Sequence, residues 1–158
     1  MSTVNSAAPD FILKNTKKED VSLSDFKGKP VVLAFYPGAF TGVCDNEVCK
    51  LKEDMEKFND LNTTVLGISV DSPWANGAFA EKYDLNFDLL SDLDRSATKA
   101  YDLLFEGLGG IEGYTCANRG VIIIDAEGTI KYRWVAEPNP GVEDDKLEIE
   151  KPKSKLAL

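Results

Sequence analysis

The chain of 158 residues has no histidine, only three cysteines and only two methionines. Without an imidazole, Ser-His-Asp and Cys-His catalysis are excluded, and zinc loses its commonest nitrogen ligand. An odd cysteine count in a chain of this size argues against a disulfide framework; such thiols are more often buried, catalytic or metal-bound. Cys44, Cys49 and Cys116 make a poor metal set, badly spaced and with no histidine to complete it, so neither a metal nor another cofactor is expected. Positive charge is also scarce. Eighteen Lys and Arg face 27 Asp and Glu, a net charge of −9, which would repel nucleic acid and anionic membranes. The acidic residues are scattered without a long like-charge block, as on a solvating surface. No apolar run approaches the ~18 residues of a spanning helix. The first residues lack a basic stretch followed by an apolar one, so no secretory signal is read and a cytoplasmic location is expected.

At 43% hydrophobic, the chain has the material for one domain with a real core over residues 1–158, turning polar and proline-rich from about 137. Residues 31–36 (Val-Val-Leu-Ala-Phe-Tyr) and 64–70 (Thr-Val-Leu-Gly-Ile-Ser-Val) are apolar runs of the kind that fill strands buried on both faces. Pro37-Gly38 ends the first and Asp71-Ser72-Pro73 the second. From 42 to 59, Cys44, Val48, Leu51, Met55 and Phe58 recur at steps of four and three, the stripe of an amphipathic helix. A second helix is predicted over 74–83 with Trp74, Ala78 and Phe79 inward. A short strand is predicted over 87–90, and a third helix, capped by Ser91-Asp92, reaches 101 or 104. Residues 107–113 hold four glycines and read as a loop, and strands at 121–125 and 129–135 flank Ala126-Glu127-Gly128 as a hairpin. Strands interleaved with helices and closing on a hairpin define an α/β protein, a mixed central β-sheet flanked by helices on both faces, compatible with a thioredoxin-like core carrying insertions.

The chemistry concentrates in Pro37-Gly38-Ala39-Phe40-Thr41-Gly42-Val43-Cys44, between the first buried strand and the first helix. A thiol there sits at a helix N-terminus, where unpaired N–H groups and the dipole favour the thiolate, the reactive form of cysteine. With no histidine, whatever activates Cys44 must be a dipole, an arginine or a hydroxyl. Cys49 falls off the apolar stripe, among Lys52, Glu53 and Glu56. A lone cysteine on an apolar stripe is ordinarily an inert core residue; it is the company of Thr41 and of a later arginine that argues otherwise.

Pro37-x-x-x-Thr41-x-x-Cys44, joined by Arg119 in Ala117-Asn118-Arg119-Gly120 just before a late strand, resembles the peroxiredoxins from about residue 8 to 140. The resemblance implies a thioredoxin-like fold and a thiol-dependent peroxidase acting on hydrogen peroxide and organic hydroperoxides. Cys44 would be the peroxidatic nucleophile, with Thr41, Pro37 and Arg119 around it. Residues 39–42 and 117–120 are most similar to the one-cysteine alkyl hydroperoxide reductase E group. Cys44-x-x-x-x-Cys49 instead resembles the peroxiredoxin Q group, in which the second cysteine resolves the first. On an intact helix that spacing separates the Cα atoms by roughly 8–9 Å, beyond the ~7 Å a disulfide tolerates, so resolution by Cys49 requires the first turn to unwind. Cys116 is the second choice as resolver and reads first as a partly buried bystander. Glu47 either orients Arg119 or lies on solvated surface, and Arg119 has a competing reading as a surface ion-pair partner. The resemblance further implies reduction by thioredoxin, glutaredoxin or a similar dithiol, and a homodimer or larger homo-oligomer; the apolar residues near Trp74 and in Leu103-Leu104-Phe105 would serve such a contact or, equally well, pack in the core. It implies a closing helix that Lys151-Pro152-Lys153 would interrupt. Two other functions share the fold: a thiol–disulfide oxidoreductase, whose usual Cys-x-x-Cys is missing here, and a redox sensor.

Overall fold

The computed structural model describes residues 3–40 and 63–136. The predicted helix over 42–59 and the tail from 137 lie outside them, as do Thr41, Cys44, Glu47 and Cys49.

Among the described residues, seven strands form one mixed sheet: β1 (Ile12–Lys14), β2 (Asp20–Ser22), β3 (Val31–Phe35), β4 (Thr64–Ser69), β5 (Asp88–Ser91), β8 (Gly120–Ile124) and β9 (Ile130–Val135), in the order β2-β1-β5-β4-β3-β8-β9. β3, β4 and β5 run parallel, so their carboxyl ends meet at one edge of the sheet. β8 runs antiparallel to β3 with Gly120 opposite Phe35, which brings the start of β8 to that same edge. Two short strands, β6 (Leu104–Glu106) and β7 (Thr115–Ala117), pair with each other, and β7 lies beside β4.

Alternation along the strands divides the core between the two faces. Val31, Leu33 and Phe35 join Leu66, Ile68, Leu90, Ile122 and Ile124 on one face, with Ala97 and Tyr101. Val32 and Ala34 join Val65, Val121 and Ile123 on the other, where Tyr36, Leu89 and Phe79 continue the layer. Helix α1 (Pro73–Lys82) therefore covers one face through Phe79, and α2 (Ser96–Ala100) the other through Ala97. Coverage on both sides is why the central strands are continuously apolar.

The strand limits agree with the sequence reading to within about a residue at 31, 64 and 130. The helix readings need two corrections. Trp74 and Ala78 do not face the core: Trp74 is 71% exposed and Ala78 is exposed, while Asn76 and Phe79 are fully buried. The buried side of α1 is partly polar, which a search for an apolar stripe overlooks. The helix expected to follow Ser91-Asp92 is shorter, starting at Ser96 and ending at Ala100, with Leu104 already in β6. Asp92 does serve its start: the amides of Ala97 (3.1 Å) and Thr98 (2.7 Å) and the Thr98 hydroxyl (2.6 Å) all donate to its buried carboxylate. Residues 107–113 form the expected turning segment, with Gly107, Gly109, Gly110 and Gly113 all at positive φ. No helix among the described residues is long and apolar enough to cross a membrane.

Candidate active site

Open α/β sheets bind ligands beyond the carboxyl ends of their parallel strands, and two of the motif residues, Pro37 and Arg119, lie at that edge. Pro37 leaves β3 there, buried. Arg119 immediately precedes β8, and because Gly120 is paired with Phe35, the arginine stands across from the strand end that Pro37 follows. Its side chain is 1% exposed, which disposes of the surface ion-pair reading. A buried guanidinium is costly unless its surroundings supply polar contacts. Its backbone is fixed on both sides: Ala136 N–H donates to the Arg119 carbonyl (2.9 Å), and Asn118 N–H donates to Leu103 O (2.7 Å). The Asn118 side-chain amide donates to Ala136 O at 3.2 Å.

The segment entering the motif is held by side chains that sequence reasoning did not single out. Tyr36, the residue after β3, donates its hydroxyl to Asn76 Oδ1 on α1 (2.7 Å), and its N–H donates to Ile68 O (3.0 Å). The Ala39 N–H donates to the carboxylate of Asp71 at 2.8 Å. Phe40 sits in the left-handed region at φ 63°, its ring edge-on to Phe79 at 5.2 Å with the Lys82 ammonium 5.4 Å above it. A non-glycine residue held at positive φ beside a functional motif stores local strain that the surroundings must impose. The one available sequence signal is the polar stop Asp71-Ser72-Pro73, which reads only as the end of a strand.

Cys116 lies in β7, paired with Phe105 and fully buried as a free thiol. Burial pushes its pKa from 9.0 up to about 11, the Asp71 carboxylate adds to the rise, and Arg95 opposes it. Arg95 belongs to the same corner, donating from Nε to the Thr115 hydroxyl (3.0 Å) and from a terminal nitrogen to the Thr115 carbonyl (3.2 Å). The structure thus brings Pro37, Arg119, Asp71 and Cys116 toward one end of the sheet. Thr41, Cys44, Glu47 and Cys49 continue the chain from Phe40, outside the described residues.

A family model, the AhpC/TSA family, matches residues 4–133. The chain belongs to that family and is a peroxiredoxin, a thiol-dependent peroxidase that reduces hydroperoxides. It is 37% identical over 133 residues to "Peroxiredoxin Bcp" of Bacillus subtilis (strain 168), covering 83% of each protein. It is 42% identical over 123 residues to "Peroxiredoxin Q, chloroplastic" of Sedum lineare, covering 76% of this chain and 66% of that protein. Among solved structures it is similar to Peroxidoxin BcpB from Mycobacterium tuberculosis, with a TM-score of 0.83 at 23% identity over 99% of this chain and 97% of the other. A reduced 2-Cys peroxiredoxin of Plasmodium vivax gives a TM-score of 0.81 at 28% identity, covering 96% of this chain and 79% of the other. The thioredoxin-like fold expected from the motif is the fold observed.

Proposed function

We propose that Cys44 is the peroxidatic nucleophile of this peroxidase, with Thr41, Pro37 and Arg119 as its surroundings. The observation that supports this best is the placement of buried Arg119 across from the β3 end at which Pro37 begins the Pro37-x-x-x-Thr41-x-x-Cys44 motif. The Cys44 thiolate attacks the terminal oxygen of the hydroperoxide. An S–O bond forms as the O–O bond breaks, leaving a sulfenic acid, and the departing oxygen takes a proton to become water or alcohol. A lowered thiol pKa alone does not explain speed, because nucleophilicity falls with pKa. The Thr41 hydroxyl, the Cys44 N–H and the Arg119 guanidinium are donors suited to the charge that moves onto the breaking bond; one such donor is typically worth about 3 kcal/mol. Pro37 covers the sulfur from water, and Glu47 is assigned to orienting Arg119.

Cys49 is assigned as the resolving thiol: its thiolate attacks the sulfenic sulfur, forming a Cys44–Cys49 disulfide and releasing hydroxide, which is protonated to water. A dithiol donor of the thioredoxin or glutaredoxin kind then reduces it. Cys116 is assigned as a bystander, since a buried thiol with a raised pKa is a poor attacking group. We read residues 1–158 as one cytoplasmic domain that forms a homodimer or larger homo-oligomer, and the exposure of Trp74 and Leu104 is compatible with such contacts.

Hydroperoxide consumption by Cys44→Ser tests the assignment; activity equal to the parent's would sink it. Intact mass after one equivalent of peroxide, with and without Cys49→Ser, tests the resolving step. The parent should lose two hydrogens as a disulfide, and the variant should gain one oxygen as a sulfenic acid. A Cys44 adduct with the external thiol, with Cys49 always free, would refute it.

A further inference from the structure

We infer that Asp71 is a positioning residue for peroxide reduction, holding the amide of Ala39, two residues before Thr41 and five before Cys44 in the chain; the inference rests on Cys44 being the peroxidatic cysteine. Asp71 follows β4, and one carboxylate oxygen, Oδ2, accepts both the Ala39 N–H at 2.8 Å and the Ser69 hydroxyl at 3.0 Å. Its own N–H donates to Ser69 Oγ at 3.2 Å, so the carboxylate is aimed by a closed turn instead of hanging free. Ser69 Oγ also lies 3.2 Å from Asn76 Oδ1, which takes the Tyr36 hydroxyl, while Asn76 Nδ2 donates to Ser91 Oγ at 3.2 Å.

Ser69 and Asn76 are 0% exposed, Tyr36 is 2% and Ser91 is 4% exposed. Buried polar networks of this kind are costly when incomplete and rigid when satisfied. This one links β3, β4, β5 and α1 at the carboxyl edge of the sheet, and it reaches the motif at two points three residues apart: the side chain of Tyr36 and, through Asp71, the amide of Ala39. The contact between Asp71 and Ala39 is charge-assisted, roughly twice as strong as a neutral pair. Phe40, in the left-handed region, sets its ring edge-on to Phe79 with the Lys82 ammonium above it.

Ala39 is half-buried, and water can satisfy its amide if the carboxylate is removed. Removal should therefore disturb position far more than stability. A misplacement of about 1 Å at a reacting group can cost on the order of a hundredfold in rate. Thr41 and Cys44 follow Ala39 by two and five residues in the chain.

The test compares Asp71→Ala, Asp71→Asn and Cys44→Ser by stopped-flow reaction with hydrogen peroxide, with melting temperature measured in parallel. Asp71→Ala is expected to lose about 10- to 100-fold in second-order rate constant per folded molecule. Asp71→Asn, whose amide oxygen can still accept from Ala39, should stay within about threefold of the parent. Should Asp71→Ala not fold, Asp71→Ser, too short to span the same gap, takes its place with the same expected loss. A parent-like rate in Asp71→Ala, or an Asp71→Asn as slow as Asp71→Ala, would overturn the inference. Turnover by Cys44→Ser would instead mean that the underlying cysteine assignment had failed.

Discussion

Cys116 offers the sharpest numerical test, because its environment should leave a thiol almost without chemistry. Its pKa is raised from 9.0 to about 11, first by burial, then by Asp71, against the opposing charge of Arg95. At pH 7 that leaves roughly one thiolate in ten thousand, against about one in a hundred for the unperturbed thiol, so ionisation alone slows its reactions about a hundredfold. The side chain is also 0% exposed, so any reagent must wait for an opening of the β6–β7 pair. Alkylation of reduced native protein at pH 7, followed by peptide mapping, should leave Cys116 unlabelled over the time in which urea-unfolded protein is labelled completely. After one equivalent of peroxide Cys116 should still be a free thiol, and Cys116→Ala should keep the parent's turnover. Labelling of native Cys116 within tenfold of the unfolded rate, or a Cys44–Cys116 disulfide, would refute the reasoning. The same shift carries a pH signature. Because the folded thiol holds its proton more tightly than the unfolded one, its contribution to stability is complete below pH 9 and is lost as pH rises toward 11. Cys116→Ala should show less of that alkaline decline in urea unfolding.

The other predictions concern the scaffold and the site. Arg119→Met should lower the second-order rate constant with peroxide by about 100- to 1,000-fold if its guanidinium serves the breaking O–O bond; a loss below about threefold would remove it from the site. Gly67→Ala places a Cβ 2.6 Å from Leu89 Cδ2 and 3.4 Å from a Tyr36 ring carbon, both in the tightly packed layer under α1. Overpacking there should cost about 1–3 kcal/mol, seen in urea unfolding as a lower midpoint with an unchanged slope. Asp92→Ala leaves the buried amides of Ala97 and Thr98 without their acceptor, and should cost about 2–4 kcal/mol with peroxide reactivity per folded molecule retained.

What the sequence disclosed follows the physics of each signal. Residues 31–35, 64–69 and 120–124 were legible because a strand covered on both faces must be apolar at every position, and that pattern survives without knowledge of its partners. Pro37 and Arg119 are 82 positions apart, and it is the β3–β8 register, which the sequence does not show, that brings them to the same edge of the sheet. The three-residue strands β1, β6 and β7 were not legible, being too short to show a period. Nor was the inward face of α1. Asn76 and Phe79 point in while Trp74 points out over Lys18, its ring 5.5 Å from the Lys18 ammonium. An asparagine reads as exposed by default, and only the company of Tyr36, Ser69 and Ser91, each from a different strand end, makes its burial favourable.

That polar cluster also bears on how a histidine-free chain of net charge −9 does peroxide chemistry. Hydroperoxides are neutral, so the acidic surface does not repel them, and the demand falls on a few donors held in register. If Cys49 resolves Cys44, the helical spacing that the sequence predicts over 42–59 has to open for the disulfide to close. Tyr36 through Asn76, Ala39 through Asp71 and Phe40 against Phe79 all act before residue 41, on the strand side of the motif. The described residues that lead into the motif are thus held at three points, and the left-handed Phe40 is the last of them.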